Sequence, residues 1–228
     1  MAKDQSRTPA IELINVTRRF VSPTGKTLTA LKDFNMAVER GEFVAVVGPT
    51  GCGKSTTLNL VTGLAKPSAG EVRLMGGPVN GIDPRVGLGK FLHHYPHQLS
   101  GGMRKRVALA QTFINEPEIL LMDEPFSALD VQTRTVMHEE LLKLWAERKA
   151  SVIFVTHDLE EAVALADKVY VLTAGPATVK SVYPIALPRP RVVSEIRYEP
   201  EFVEYCKTIW EDMRQEVETS YRRASEAA

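Results

Sequence analysis

The segment Gly48–Thr56 reads G-P-T-G-C-G-K-S-T and fits the pattern G-x-x-x-x-G-K-[ST]. A short apolar run, Phe43–Val47, precedes it, and a helical pattern from Ser55 to Leu64 follows it. In a strand, loop and helix of this kind, glycines let successive backbone N–H groups surround phosphate oxygens at the helix N-terminus. The segment therefore predicts an α/β fold with a phosphate-binding loop. The alternative is a glycine-rich turn that carries an exposed lysine.

Two side chains of this segment add chemistry to the loop. Lys54 would place a positive charge beside the terminal phosphates of a nucleotide, and the Ser55 hydroxyl would be a ligand of Mg²⁺. We therefore predict that the whole segment binds nucleotide, through Gly48, Pro49, Thr50, Gly51, Cys52, Gly53, Lys54, Ser55 and Thr56.

The composition is that of one globular domain. The chain has 228 residues, of which 44% are hydrophobic, with 28 Lys+Arg against 28 Asp+Glu. Balanced charge argues against nucleic acid or an anionic membrane surface as the main partner. No apolar run approaches the roughly 18 residues of a membrane-spanning helix. Because the start MAKDQSRTPA is polar and Cys52 and Cys206 match no disulfide or metal spacing, we expect a cytoplasmic protein.

Strand and helix patterns alternate along the chain. An antiparallel start is expected from strands at 11–20 and 28–38, joined by a turn at Ser22–Gly25. The remaining apolar patterns predict strands at 43–47, 119–122 and 152–155, helices at 55–64, 107–114 and 131–148, and a last helix at about 199–223. That last helix has an expected apolar stripe of Phe202, Tyr205, Ile209, Trp210, Met213 and Val217. The alternation indicates a mostly parallel sheet flanked by helices, in a single domain over residues 1–228.

Two carboxylates follow the predicted strand at 119–122. Asp123 and Glu124 would lie at the edge where a parallel sheet presents its ligands. Next to a terminal phosphate, Asp123 suits Mg²⁺, and Glu124 suits a base that polarises the attacking water. By themselves such residues are more often a helix cap or a solvated pair, but the phosphate-binding loop favours the catalytic interpretation.

A second glycine-containing turn, Leu99-Ser-Gly-Gly-Met103, has the form of a helix start that offers N–H groups and a hydroxyl to a phosphate. With the loop at 48–56 and the carboxylates at 123–124 in the same order, the chain resembles the ATP-binding subunits of ABC transporters, in which Leu-Ser-Gly-Gly is the signature motif. The resemblance implies a P-loop NTPase fold of ABC ATPase type that binds ATP and Mg²⁺. It also implies that Ser100, Gly101 and Gly102 contact the nucleotide of a partner subunit.

The resemblance extends to three further positions. Ser127-Ala-Leu-Asp130 is similar to the family's D-loop, which makes Asp130 a nucleotide-site residue. His157 stands where the family has its switch histidine, a catalytic residue that contacts the γ-phosphate, and Phe20 stands where an aromatic stacks on adenine. The alternatives are a satisfied histidine at a strand end and an ordinary core aromatic. His93, His94 and His97 lie in a Pro96-containing stretch without carboxylate or Cys partners and predict no metal site.

The loop, the signature and the C-terminal helix together look most like the ATPases of nitrate, sulfonate and taurine importers. That likeness implies a head-to-tail homodimer with ATP at the interface. It implies transmembrane permease subunits as direct partners, a solute-binding protein as an indirect one, and no nucleic acid. The subunit would then be peripheral on the cytoplasmic face of the cell membrane.

One interval departs from the family pattern. Only 45 residues separate Lys54 from Ser100, too few for the family's Gln loop and helical subdomain. The sequence places the missing segment between Gly87 and Leu88 and predicts a reduced helical subdomain over about 88–115. Since that segment would hold Mg²⁺ and receive the permease, a non-catalytic nucleotide-binding remnant stays open as an alternative. A separate alternative is a soluble ABC ATPase that does not act in transport.

Overall fold

A computed structural model describes residues 8–83, 85–88, 113 and 116–226. The described strands are β1 Ile11–Val21, β2 Thr27–Val38, β3 Phe43–Val47, β4 Ala69–Leu74, β5 Gly77–Pro78, β6 Val86–Leu88, β7 Ile119–Asp123, β8 Ser151–Val155, β9 Lys168–Leu172 and β10 Val179–Pro184. The described helices are α1 Lys54–Val61, α2 Val131–Arg148, α3 Leu159–Leu165, α4 Val193–Ile196 and α5 Pro200–Glu226. The α/β class predicted from the sequence is confirmed.

The larger sheet has the strand order β10-β9-β3-β8-β7-β6. Strands β9, β3, β8, β7 and β6 pair in parallel, and β10 adds an antiparallel edge to β9. Every residue of β3 and of β8 is buried. Such strands are continuous apolar runs because helices or another sheet cover both faces.

Alternate residues of these strands face two separate cores. In β3, Phe43, Ala45 and Val47 pack with the apolar sides of α2, α3 and α5. Val44 and Val46 face the other way, toward the second sheet and α1. The large sheet is therefore the middle layer of the molecule, which positions its strand ends firmly from both sides.

The smaller sheet is antiparallel, with the order β2-β1-β4-β5. The turn predicted at Ser22–Gly25 joins β1 to β2, and the Gly25 N–H donates to the Ser22 carbonyl at 2.9 Å. Strand β4 pairs with β1, so the chain crosses back to this sheet after α1. The predicted antiparallel start is therefore confirmed, whereas β4, β5, α3, β9 and β10 were not predicted.

Helix α2 has the bounds that the apolar pattern predicts. Asp130 precedes it and accepts a hydrogen bond from the Thr133 N–H at 2.9 Å, an N-cap that replaces a missing backbone acceptor. The helix ends where Lys149 adopts a left-handed backbone with φ 53. Of the helix predicted at 107–114, only Phe113 is among the described residues, and it is buried.

The apolar stripe of the last helix needs one correction. Phe202, Ile209 and Met213 are buried against the helical side of the core, but Trp210 is 46% exposed. One residue along an α-helix turns the side chain by about 100°, so Trp210 cannot share the stripe that Ile209 occupies.

The structure also corrects the predicted start of the reduced helical subdomain. Leu88 is not its first residue, because β6 continues through Leu88, which pairs with Leu121 of β7. Most of the range 88–115 lies outside the described residues. Among the helices that are described, none has the length and apolar content that crossing a membrane requires.

Candidate nucleotide-binding site

Strand register brings three separate parts of the chain to one edge of the large sheet. Val46 of β3 pairs with Val155 of β8, and Val155 pairs with Asp123 of β7. The loop after β3, the carboxylates that end β7 and the turn after β8 therefore leave the sheet side by side. This is the edge at which parallel sheets bind their ligands.

The loop after β3 has its lysine folded across it. Lys54 is 7% exposed, and its Nζ donates hydrogen bonds to the carbonyls of Gly48 at 2.7 Å and Pro49 at 3.0 Å. An ammonium group has three N–H donors, so these bonds leave one for a further oxygen. The lysine is thus held inside the loop instead of extending into solvent as an exposed turn lysine would.

Gly53 shows why this loop needs glycine. It has φ +126, a backbone conformation that side-chain-bearing residues rarely adopt. A Cβ at this position would lie 3.0 Å from Leu31 Cδ2 and 3.1 Å from the Ala30 carbonyl oxygen. Gly53 therefore lets α1 begin close against β2 and directs the first turn of α1 toward the cleft.

The loop and the carboxylates line a single open cleft of about 480 Å³. Its lining residues are Thr50, Gly51, Gly53, Lys54, Ser55, Thr56, Asp123 and Glu124. One side of the cleft offers N–H groups, an ammonium and hydroxyls, and the other offers two carboxylates. Such a site can hold a phosphate chain and an oxygen-coordinated cation together.

Cys52 lies under the loop. It is 3% exposed, and burial raises the pKa of its thiol although the Lys54 charge works in the opposite direction. The raised pKa keeps the side chain neutral, so Cys52 acts as a small apolar residue.

Glu124 and His157 meet beside this cleft. The Glu124 backbone bends sharply after β7, with φ 46, and its N–H donates to the Val155 carbonyl at 2.9 Å. Its carboxylate Oε2 lies 3.2 Å from His157 Nδ1, although both side chains are largely accessible, at 38% and 58%. The structure therefore brings the predicted base and the predicted switch histidine into direct contact.

Asp130 and Phe20 do not line the cleft. The Asp130 carboxylate caps α2, and the Thr133 N–H holds its pKa below the ordinary value. Phe20 is 42% exposed, so it is not a core aromatic, and the Arg18 guanidinium lies 4.7 Å from its ring centroid. It pairs across β1 and β2 with Leu28, near the residues of β2 that contact Gly53. Adenine stacking by Phe20 stays a prediction.

Ser100, Gly101 and Gly102 lie outside the described residues, as do His93, His94 and His97. Within the described part of the chain, no group of three or more His, Cys, Asp and Glu side chains has the arrangement of a metal site. Mg²⁺ commonly binds through one or two carboxylates together with phosphate oxygens and water, a mode that does not need three such side chains.

A partly buried polar cluster next to the turn that carries His157 was not predicted. We call its residues the Glu161 cluster: Arg134, His138, Thr156, Asp158 and Glu161. His138 has the helical spacing of the apolar residues Leu141, Leu142 and Trp145, a signal that it faces inward. The sequence has no comparable signal for Glu161. Glu160 and Glu161 are neighbouring residues of the same type, and only the structure shows that the first is exposed and the second is buried.

Comparison with known proteins gives close relatives along nearly the whole chain. The chain is 39% identical to the uncharacterized ABC transporter ATP-binding protein MJ0412 of Methanocaldococcus jannaschii, with 91% of this chain and 92% of that protein covered. It is 36% identical to the nitrate import ATP-binding protein NrtD of a Synechocystis species, over 87% and 93%. It is 35% identical to the bicarbonate transport ATP-binding protein CmpD of Synechococcus elongatus, over 85% and 86%.

Solved structures of ATP-binding cassette proteins have a fold similar to that of this chain. The dimeric ATP-binding cassette MJ0796, in a post-hydrolysis state bound to ADP and Pi, has a TM-score of 0.67 and 27% identity. The match covers 78% of this chain and all of that one. The cbiO1 protein of Clostridium perfringens has the same TM-score at 22% identity, covering 87% and 94%, and shares the fold.

The family model described as ABC transporter matches in two pieces, residues 31–86 and 82–127. These pieces overlap at residues 82–86, next to the point where the sequence places the missing segment. The alignment with the Methanocaldococcus relative spans 251 positions, more than the 228 residues of this chain, so that relative has residues for which this chain has no counterpart.

Proposed function

Because this chain belongs to the ATP-binding proteins of ABC transporters, we propose that it binds ATP with Mg²⁺ and hydrolyses it to drive import of a small solute. The observation that carries the proposal is the single cleft shared by the loop at 48–56, Asp123 and Glu124. Nitrate, bicarbonate, sulfonate or taurine is the proposed class of solute, since relatives are named for nitrate and bicarbonate import.

Each cleft residue has a proposed role. The loop N–H groups and Lys54 would hold the phosphates, with Lys54 supplying its remaining N–H and its charge. The Ser55 hydroxyl and the Asp123 carboxylate are the oxygen donors that Mg²⁺ prefers, and both line the cleft. When bound, Mg²⁺ would offset the charge that develops on the transferred phosphoryl group.

Hydrolysis would depend on Glu124 and His157. Glu124 would accept a proton from the attacking water, because its carboxylate faces the cleft and is accessible. His157, in contact with Glu124, would orient that carboxylate and contact the γ-phosphate. We propose both as catalytic residues.

The active form would be a head-to-tail homodimer on the cytoplasmic face of the membrane, joined to permease subunits. Ser100, Gly101 and Gly102 of one copy would close over the ATP of the other. Asp130 would lie near that interface, where its cap of α2 sets the start of the helix. The dimeric cassette among the structural relatives supports this arrangement.

A second candidate function is a nucleotide-binding remnant that does not hydrolyse ATP. It is motivated by the short interval between Lys54 and Ser100, since the absent residues would help to hold Mg²⁺ and receive the permease. The two candidates share ATP binding and differ in turnover.

Titration with a fluorescent ATP analogue in the presence of Mg²⁺ tests the shared step. Lys54→Ala should weaken binding by about tenfold or more, because it removes a buried charge from the phosphate site. Lys143→Ala is the matched control, since Lys143 is 68% exposed on α2, and its affinity should equal that of the wild type.

Phosphate release by the same proteins then separates the candidates. Steady turnover by the wild type supports the ATPase, and ATP binding without turnover supports the remnant. Equal affinity of the wild type and Lys54→Ala would refute the site itself.

A further inference from the structure

The Glu161 cluster lies between the two segments that carry Glu124 and His157. Glu161 is 4% exposed, and its carboxylate makes contacts in two directions. Oε2 accepts a hydrogen bond from the Thr156 hydroxyl at 2.6 Å, and Oε1 lies 3.2 Å from His138 Nε2 on α2. A buried carboxylate with such partners is expensive to leave unpaired, so these contacts are specific and stiff.

The contact with Thr156 connects Glu161 to the turn that carries His157. Thr156 immediately precedes His157, and its N–H donates to the Val46 carbonyl at 3.2 Å. The same Thr156 hydroxyl accepts a hydrogen bond from the Asp158 N–H at 3.0 Å. The backbone on both sides of His157 is therefore tied, through one hydroxyl, to the Glu161 carboxylate.

The contact with His138 connects Glu161 to the segment 124–130. His138 packs edge-on against Phe126, with ring centroids 4.9 Å apart. Arg134, whose Nε lies 3.7 Å from Glu161 Oε1, donates from Nη2 to the Leu129 carbonyl at 3.0 Å and from Nη1 to Asp158 at 3.1 Å. The cluster therefore contacts the segment that begins with Glu124 as well as the turn that carries His157.

The contact between Glu124 and His157 contributes little to fixing the positions of these two residues. Both side chains are accessible, and an exposed ion pair or hydrogen bond contributes little to its own geometry. The two residues come from different strands, so their separation depends on how the segments after β7 and β8 are fixed. Besides the backbone hydrogen bond from Glu124 to Val155, both segments contact side chains of the Glu161 cluster, in which Glu161 joins Thr156 to His138.

We propose that Glu161 is a positioning residue for hydrolysis, which sets the contact between Glu124 and His157 without touching ATP. This inference rests on the proposed ATPase function. A shift of about 1 Å in a reacting group can lower a rate by as much as 100-fold, so a residue behind the site can control turnover. Glu161 should then affect the chemical step and leave the phosphate-binding loop unchanged.

The kinetic test replaces Glu161 by Gln in the full chain, with Glu160→Gln as the matched control. Glu160 is the preceding residue, and its side chain is 63% exposed. We expect Glu161→Gln to lower kcat on the order of tenfold with ATP affinity within about twofold of the wild type, and Glu160→Gln to change neither. In a His157→Ala background, the same Glu161→Gln change should cause almost no further loss. Additive losses would contradict the proposal, because they would mean that Glu161 does not act through His157.

A spectroscopic test does not depend on turnover. Long-range ¹H–¹⁵N spectra of the labelled full chain at pH 8 report which ring nitrogen of His157 carries the proton, with His157→Gln identifying the signal. A ring that donates from Nδ1 to Glu124 should give the Nδ1–H form in the wild type and in Glu160→Gln. Glu161→Gln should move the signal toward that of an unrestrained histidine.

A second variant, Thr156→Val, removes only the hydroxyl that links Glu161 to the turn, and it should shift the His157 signal in the same direction. It keeps the test decisive if Glu161→Gln does not fold. Unchanged His157 signals in the folded variants would overturn the proposal. Changed signals in a chain without any ATPase activity would support it and show that the proposed hydrolysis is what failed.

Discussion

Glu124 combines three features that matter for a base: a carboxylate in the cleft, a backbone bent at φ 46 and a contact with His157. The left-handed backbone is uncommon for a residue with a side chain and is maintained by the hydrogen bond from its N–H to Val155. That bend turns the carboxylate away from the line of β7. The site therefore depends on an unusual backbone conformation as well as on the side chain.

If the chain hydrolyses ATP, Glu124→Gln should lower turnover by roughly 100-fold or more, because the amide cannot accept the proton from water. ATP affinity should stay close to that of the wild type, since the substitution keeps the shape and the phosphate loop is intact. Phosphate release and analogue titration measure the two quantities. Glu147→Gln, an exposed change on α2, is the control. Turnover of Glu124→Gln at the wild-type rate would show that another group is the base.

At the scale of elements, hydrogen bonds from Arg191 link the end of α3 to the segment after β10. It is 6% exposed, and burial lowers its pKa to about 10. Its guanidinium donates to carbonyls of Val163, Ala164 and Ala166 at the end of α3, and to those of Ile185 and Leu187. The last carbonyls of a helix have no partners within the helix, so this one side chain satisfies several of them.

Arg191→Met should lower the free energy of unfolding by roughly 2–4 kcal/mol, because it leaves buried carbonyls without donors. Urea denaturation of the two proteins measures the difference. Arg222→Met, at an exposed position of α5, should change the value by less than about 0.5 kcal/mol. An equally small effect of Arg191→Met would mean that water replaces the lost donors.

The junction of α2, α3 and the end of β8 should depend on pH through Glu161. Although burial favours the neutral acid, hydrogen bonds from His138 and Thr156 and the charge of Arg134 leave the pKa of Glu161 below its ordinary value of 4.5. Asp158 lies beside the same Arg134. A carboxylate with a lowered folded pKa stabilises the fold above its unfolded pKa, and this contribution is lost as the pH falls through the folded pKa.

Unfolding free energy should therefore fall more steeply below pH 4.5 in the wild type than in Glu161→Gln, which has no carboxylate to titrate there. Urea titrations between pH 6 and the acid limit of folding measure both slopes. Parallel curves for the two proteins would contradict the lowered pKa.

At the scale of the whole molecule, the short interval after β6 bears on the proposed assembly with a permease. Strand β6 is an edge strand of the large sheet and ends at Leu88. In the family pattern, the part that follows would receive the permease and hold the signature residues. Leu88 pairs with Leu121, so a segment inserted after Leu88 would leave β6 of this chain intact.

We expect the 228-residue chain to bind ATP and to hydrolyse it far more slowly than a chain with a family-type segment inserted after Leu88. Without that segment, Ser100 to Gly102 would be on a shorter connection, poorly placed to reach the ATP of a partner subunit. Phosphate release and copurification with a coexpressed permease compare the two chains. Comparable stimulated turnover and copurification by the short chain would show that the segment is dispensable.

The sequence by itself determined the fold class, the glycine-rich loop between a buried strand and a helix, the buried strands β3, β7 and β8, and the bounds of α2. These features depend on local patterns, because an apolar run must be covered on both faces and glycines allow the positive φ values that the loop needs at Gly51 and Gly53. Only the tertiary structure decided that Glu161 is buried while Glu160 is exposed, that Trp210 faces outward, and that Glu124 contacts His157. The contact between Glu124 and His157 depends on strand order and register, which join residues far apart in the chain and leave no periodic signal in it. The burial of Glu161 and the exposure of Trp210 depend on which face of each helix packs against the core.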